Sequence, residues 1–302
     1  MKALLTRREG LLAAAGMPAA ALANGATVPT VPFGQHTISR LIVGGNPVSG
    51  NSHVSGEVSR EMADYFSAAN VKKMLRDCEQ AGINTWQSRG DKHIMRLLRE
   101  YRLDGGRIQW IAQTASEHAS IPRNIAEIAA YKPAGIYHHG SKTDSLWKAG
   151  AIDQVTDILK AIRQTGVRVG LGTHIPEVID YVESKGWDVD FYMTCVYNIE
   201  RSREEANRVA GRNFEGEFFW DPDREKMLQR VRQTSKQCLI FKVYGASRKC
   251  ASADEMLGAL RLACSYAKPS DAIVIGMFPK HKEQVRENCQ LLAKALEASQ
   301  KS

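Results

Sequence analysis

The chain has 302 residues, 43% of them hydrophobic and 25% charged, with 24 glycines and 10 prolines. Mean hydropathy is −0.33, so a disordered chain, a collagen-like repeat and a multi-span membrane protein are all excluded. Forty-one basic residues against 33 acidic give a net charge of +8, but the basic residues are scattered rather than blocked, which argues against a nucleic-acid partner.

In chain order, the first element is a leader. Residues 1–23 run from Lys2 through an Ala/Leu-rich stretch to Ala21-Leu22-Ala23, the basic, apolar and small-residue zones of a secretory signal peptide. Thr6-Arg7-Arg8-Glu9-Gly10-Leu11-Leu12 resembles the twin-arginine export motif, which predicts a periplasmic or secreted protein. Cleavage after Ala23 removes three basic residues and one acid, lowering the net charge to +6. The apolar run is too short to span a bilayer, so no membrane span is expected in the mature protein. A basic leader kept on a cytoplasmic enzyme is the alternative.

Residues 24–302 read as a single domain in which short apolar runs alternate with 3.6-period stretches. Strands are predicted at 38–45, 84–88, 108–114, 135–139, 167–173, 190–198, 238–244 and 272–277. Helices are predicted at 70–82, 92–101, 152–165, 176–184, 224–235, 253–267 and 283–298, with Pro176 and Pro222 at first helical positions. Eight alternations without a G-x-G-x-x-G loop predict α/β architecture of the (β/α)8 TIM-barrel type. The six cysteines show no C-x-x-C or metal-ligand spacing and read mainly as buried small hydrophobes, with a disulfide between any one pair left open.

Barrels carry their sites at strand C-termini. The polar residues there are Asn46, Gln87, Arg89, Asp91, Gln113, His138, His139, Thr173, His174, Asn198, Lys242 and Tyr244. Strand alternation lets only one of His138 and His139 face the lumen. His139, nearer the strand end, is the choice, as donor to a substrate carbonyl oxygen, general acid or metal ligand. Lys242 interrupts an apolar strand, and an ammonium there points to substrate or anion binding. His139, Lys242 and Gln87 are the catalytic candidates; Arg89, Asp91, Gln113, His174, Asn198, Tyr244 and Trp220 are the substrate-binding ones. Two long loops, 46–64 and 200–221, leave from strand ends. The second brings Phe214, Phe218, Phe219 and Trp220, either to wall a pocket or to pack the loop.

Four segments resemble the aldo/keto reductase superfamily. Gly82-Ile83-Asn84, Gly170-Leu171-Gly172-Thr173-His174-Ile175-Pro176-Glu177, the stretch from Val189-Asp190-Phe191 to Tyr197-Asn198, and Gly276 with Glu283-Gln284-Val285 and Glu287-Asn288 follow that family's order. The resemblance implies NADP-dependent oxidoreductase chemistry on a small polar carbonyl or sugar. It also implies an Asp-Tyr-Lys-His tetrad, of which His139 alone matches. Gln87 stands at the Asp position, Gln113 or Thr114 at the Lys position, and no Tyr lies near Lys92. Lys280 or Lys282, Glu287 and Asn288 fall where the family holds its nucleotide.

Without the family's acid, the residues leave a second class open. This is a non-redox lyase, isomerase or hydrolase acting on a keto-sugar, with or without a divalent metal. A barrel kept for binding alone is the third. The expected partner in each case is a small-molecule substrate, and the oligomeric state is open.

Overall fold

The computed structural model describes residues 28–299; the leader expected at 1–23 lies outside them. Eight parallel strands close into a barrel: β3 (Leu41–Gly44), β4 (Thr85–Arg89), β5 (Gln109–Gln113), β6 (Gly135–His138), β7 (Arg168–Thr173), β8 (Phe191–Cys195), β9 (Gln237–Phe241) and β10 (Ala272–Gly276), which pairs back onto β3. Every predicted barrel strand is present within a few residues of its expected bounds, and the (β/α)8 fold is the one expected.

Helices follow the strands as the periodicity requires. They are α1 (Gly56–Tyr65) and α2 (Ala68–Gln80) after β3, α3 (Lys92–Leu103) after β4, α4 (Ile121–Ala129) after β5, and α5 (Gly140–Lys148) with α6 (Val155–Arg163) after β6. Then come α7 (Pro176–Ser184), α8 (Arg203–Ala210) with α9 (Pro222–Gln233), α10 (Ala253–Tyr266) and α11 (Gln284–Ser299). Pro176 and Pro222 open α7 and α9, where a missing N–H costs no helical bond. Ser67, Asp91 and Ser252 accept from the backbone N–H three residues on, capping α2, α3 and α10. Outward strand residues such as Trp86, Trp110 and Tyr192 are fully buried beneath this helical layer.

Helices α1, α4, α5 and α8 lie outside the predicted helical stretches, and an N-terminal hairpin was not expected. β1 (Thr30–Phe33) and β2 (His36–Ser39) form an antiparallel hairpin across the N-terminal end of the barrel. Its Val31, Phe33 and Ile38 join the inward residues Ile42, Ile111, Tyr137, Met193, Leu239 and Val274 in one apolar cluster. Phe33 meets Phe191 edge-on at 4.9 Å, with the Arg168 guanidinium 4.3 Å from its ring centre. Gln237 Nε2 donates to Pro32 O (3.0 Å) and Gln109 Nε2 to Thr37 O (2.8 Å), so barrel side chains satisfy the hairpin's backbone. The barrel is therefore shut at this end and opens at the other.

All six cysteines are free thiols, five of them buried, with Cys250 partly exposed. Among the described residues no helix is long and apolar enough to cross a membrane.

Candidate active site at the open end of the barrel

A cavity of about 610 Å³ opens at the C-terminal strand ends, within the usual range for small-molecule pockets. Its wall includes Gln87, Arg89, Gln113, Tyr137, His139, His174, Lys242, Tyr244, Glu287 and Asn288. Nine of these were candidates from the sequence. Tyr137 was not, although it stands two residues before His139 and so shares its strand face.

The cavity floor is a polar cluster. Gln87 Nε2 donates to the Tyr137 hydroxyl at 2.7 Å, and Gln113 also hydrogen-bonds that phenol. Burial raises the Tyr137 pKa well above its ordinary value, with Gln113 opposing, so the phenol stays protonated.

His139 and His138 differ as alternation requires. His138 points outward and is buried, with its Nδ1 3.4 Å from Thr114 Oγ1. His139 is the N-cap of α5, reached from β6 with no intervening loop, and its backbone N–H is held by Thr114 Oγ1 at 3.1 Å. Its ring makes no hydrogen bond among the described residues, and its Nδ1 is buried without a partner. Burial, then the charges of His174 and Arg89, push His139 down to about 4. Burial, with His139 beside it, does the same to His138, also to about 4. At neutral pH both imidazoles are uncharged.

His174 is the opposite case. Its Nδ1 lies 2.7 Å from Asp144 Oδ2, and its backbone N–H donates to the same oxygen at 2.9 Å. Burial disfavours a charge here, but the neighbouring Cys195 and Asp144 outweigh it and raise the imidazole to about 10. The structure thus gives His174 a partner that no sequence motif announced.

Lys242 follows β9 in the left-handed region, at φ 59°, a conformation that strains a residue with a Cβ. The ammonium makes no ion pair among the described residues; it lies 5.9 Å from the Phe219 ring centre. Burial, only partly offset by Cys195 and Glu217, lowers its pKa.

Several candidates stand elsewhere. Asp91 caps α3 through Ile94 N (2.9 Å) and pairs with Arg89 (3.2 Å), so it orients an arginine rather than a ligand. Asn198 accepts from Glu200 N and shapes the loop after β8. Trp220 lies beside Arg201 and Lys226, Phe214 against Phe218, and Phe219 against Tyr197 and Arg248. These aromatics pack the loop; none of the four lines the cavity.

The residues assigned to a nucleotide are engaged with the protein. Lys280 pairs with Glu61 (2.8 Å) and Lys282 with Glu287 (2.9 Å). Asn288, nearly fully buried, accepts from Tyr244 OH (2.8 Å) and donates to Gln284 O (2.7 Å), tying α11 to the loop after β9. For a metal, Asp144, His174 and Glu200 present ligand atoms within 4.8 Å of one another. However, Asp144 already accepts from Thr173 Oγ1 (2.5 Å) and from two N–H groups of His174.

No family model matches the chain, and no curated protein matches it. Solved barrels do. A truncated 3-deoxy-D-arabino-heptulosonate 7-phosphate synthase from Thermotoga maritima aligns over 91% of this chain and 92% of its own, at 13% identity and TM-score 0.50. A chain of the Amycolatopsis orientalis BexX/CysO complex aligns over 90% and 96%, at 14% identity and TM-score 0.53. The N-acetylmannosamine-6-phosphate 2-epimerase from Clostridium perfringens aligns over 85% and 92%, at 12% identity and TM-score 0.46. At such identities the likeness is one of fold.

These findings overturn the aldo/keto reductase resemblance, and with it the oxidoreductase activity it implied. The matching segments have a plainer cause. A Cβ on Gly170 would lie 2.3 Å from the Phe191 ring, and one on Gly172 would lie 3.0 Å from Gly140 N and from His138 O. Barrel packing by itself demands both glycines, as the start of α7 favours Pro176.

Proposed function

We propose that the chain is a non-redox lyase or isomerase acting on a small keto-sugar-like compound by proton transfer at the carbon beside its carbonyl. The observation that carries this is His139. It is an imidazole held neutral at physiological pH, rigid at a helix start, without a hydrogen-bond partner, in the wall of a cavity closed below. A neutral imidazole in that position keeps a lone pair free for a substrate proton, and negative charge building on a nearby carbonyl oxygen raises its basicity during the transfer.

The remaining wall suits the same chemistry. Gln87, Gln113 and the Tyr137 phenol form a hydrogen-bonded floor for substrate hydroxyls. As the ring nitrogen of His139 takes the proton, the C–H electron pair becomes the new C=C bond and charge moves onto the carbonyl oxygen. The unpaired Lys242 ammonium supplies positive potential for that oxygen at little reorganisation cost. Return of the proton to the neighbouring carbon, with the enediolate's hydroxyl proton passing to the former carbonyl oxygen, isomerises the substrate; departure of a β-substituent with its bonding pair as the carbonyl re-forms instead completes an elimination.

The test is solvent exchange. Ketoses and keto acids of up to about seven carbons, a range that suits the usual volume of such pockets, are incubated with the protein in D2O, and loss of the α-proton signal is followed by NMR. Exchange with at least one compound is expected, slowed by about 10²–10⁴-fold in His139→Gln. Failure of the whole panel to exchange overturns the reading.

A further inference from the structure

The charges on the cavity wall do not cancel. Its one carboxylate, Glu287, is taken by Lys282 at 2.9 Å. Arg89 is held by Asp91 (3.2 Å) and by Glu117. Lys242 has neither an ion pair nor a hydrogen bond among the described residues, and Glu217 and Glu200 act on it only from beyond ion-pair distance. A wall with a cation left over and no carboxylate for it suits an anionic ligand.

The loop that Lys242 opens returns to the same wall. Gly245, Ala246 and Ser247 are left-handed in succession, at φ 57°, 51° and 74°, a conformation that alanine and serine keep only where their surroundings hold it. Arg248 does the holding. Its Nη1 donates to Gly245 O (3.1 Å) and Ala246 O (3.4 Å). The guanidinium is itself fixed by His53 O (3.1 Å) and by the Phe219 ring, whose centre lies 3.9 Å away. In a trans peptide the C=O and N–H point in opposite directions. The two carbonyls facing Arg248 share their peptides with the N–H groups of Ala246 and Ser247, so both N–H groups point away from the guanidinium. Neither meets an acceptor among the described residues, and Ala246 and Ser247 line the cavity. Successive free N–H groups in a tight turn make a concavity for anions.

We infer that this turn and the Lys242 ammonium form an oxyanion subsite, that the substrate carries a carboxylate or phosphate besides its carbonyl, and that Arg248 is the positioning residue that aims the turn. The subsite deepens the proton-transfer reading above and rests on it for the carbonyl alone. An ammonium has three N–H donors, so Lys242 can meet the oxyanion and the carbonyl oxygen together. A neutral ketose leaves the charge and both N–H groups unpaired, which disfavours it.

Binding without turnover tests this. Amide ¹H–¹⁵N spectra of the whole protein are followed while sodium phosphate is added in one arm and sodium pyruvate in the other, at constant ionic strength. The Ala246 and Ser247 signals are expected to move to saturation in at least one arm; phosphate alone marks a phosphorylated substrate, pyruvate alone a keto acid. Lys242→Gln is expected to weaken that binding about tenfold or more, the usual worth of a hydrogen bond to a charged group. Should that variant not fold, Arg248→Met, at an exposed position, is expected to weaken it similarly without touching the ligand, and Arg248→Lys to restore part of it. Unmoved Ala246 and Ser247 signals in both arms overturn the inference, as does wild-type affinity in a folded Lys242→Gln or in Arg248→Met. Anion binding with no α-proton exchange by any compound removes the proton-transfer reading and leaves the subsite; exchange of neutral ketoses with no anion binding does the reverse.

Discussion

At the scale of the residue, three histidines set how stability varies with pH. His138 and His139 stay neutral in the fold down to about 4, whereas an ordinary imidazole takes its proton near 6.5. Between those values the unfolded chain binds protons that the folded one refuses, so stability falls as the medium is acidified. His174 behaves in reverse. Its pKa is raised to about 10, so its contribution is complete below 6.5 and drains away as pH climbs toward 10. Guanidinium midpoints should therefore peak near 6.5, the ordinary imidazole value in both cases. His174→Gln should flatten the alkaline limb, and His139→Gln should shorten the acidic one. A midpoint constant from pH 6.5 to 9 in the wild type would contradict this account. Of these residues, His139 was legible in the sequence because alternation and strand-end position are local properties. The charge on His174 was not, because Asp144 lies 30 residues away on a helix whose sequence shows no mark of a site.

At the scale of the element, two loops meet across the cavity mouth. His53, on the loop after β3, places Nδ1 2.7 Å from Glu217 Oε1 on the loop after β8. Asn46 Nδ2 lies 3.1 Å from His53 Nε2, and Arg248 Nη1 donates to His53 O at 3.1 Å. His53 holds this place at φ 56°, a strained backbone that the surrounding bonds maintain. The pair is partly exposed and so contributes at most about 1 kcal/mol; its effect is local. Glu217→Gln should speed amide hydrogen exchange across residues 203–220 and leave the melting temperature nearly unchanged. Unaltered exchange would show that the two loops are held by packing alone. The sequence announced both loops by length and aromatic content, since long excursions from strand ends are visible in one dimension. It did not announce the contact between them. Of the two readings of the loop aromatics, packing rather than pocket wall is the one realised: they lie against one another and against Tyr197 and Arg248, because a loop of this length must bury apolar surface of its own.

At the scale of the whole molecule, the hairpin decides where chemistry can occur. Phe33 has no exposed surface and fills the barrel's N-terminal end against Phe191 and Arg168. Phe33→Ala should cost about 3–5 kcal/mol, the usual range for emptying a buried aromatic position, read from denaturant midpoints. The histidine NMR signals at the far end should stay in place; if they move, the two ends are not independent. The hairpin escaped the sequence reading because β2 ends at Ser39, with only Arg40 before β3 begins at Leu41, so the two read as a single apolar run over 38–45. What the sequence by itself determined was the barrel: eight apolar runs, their helices and the strand ends where polar residues gather, all carried by periodicities of two and 3.6 residues. Only the tertiary structure decided which of those polar residues share a cavity and in what state of charge. Protonation depends on burial and on carboxylates, thiols and cations brought close by chain closure, and none of these distances is encoded in a local pattern.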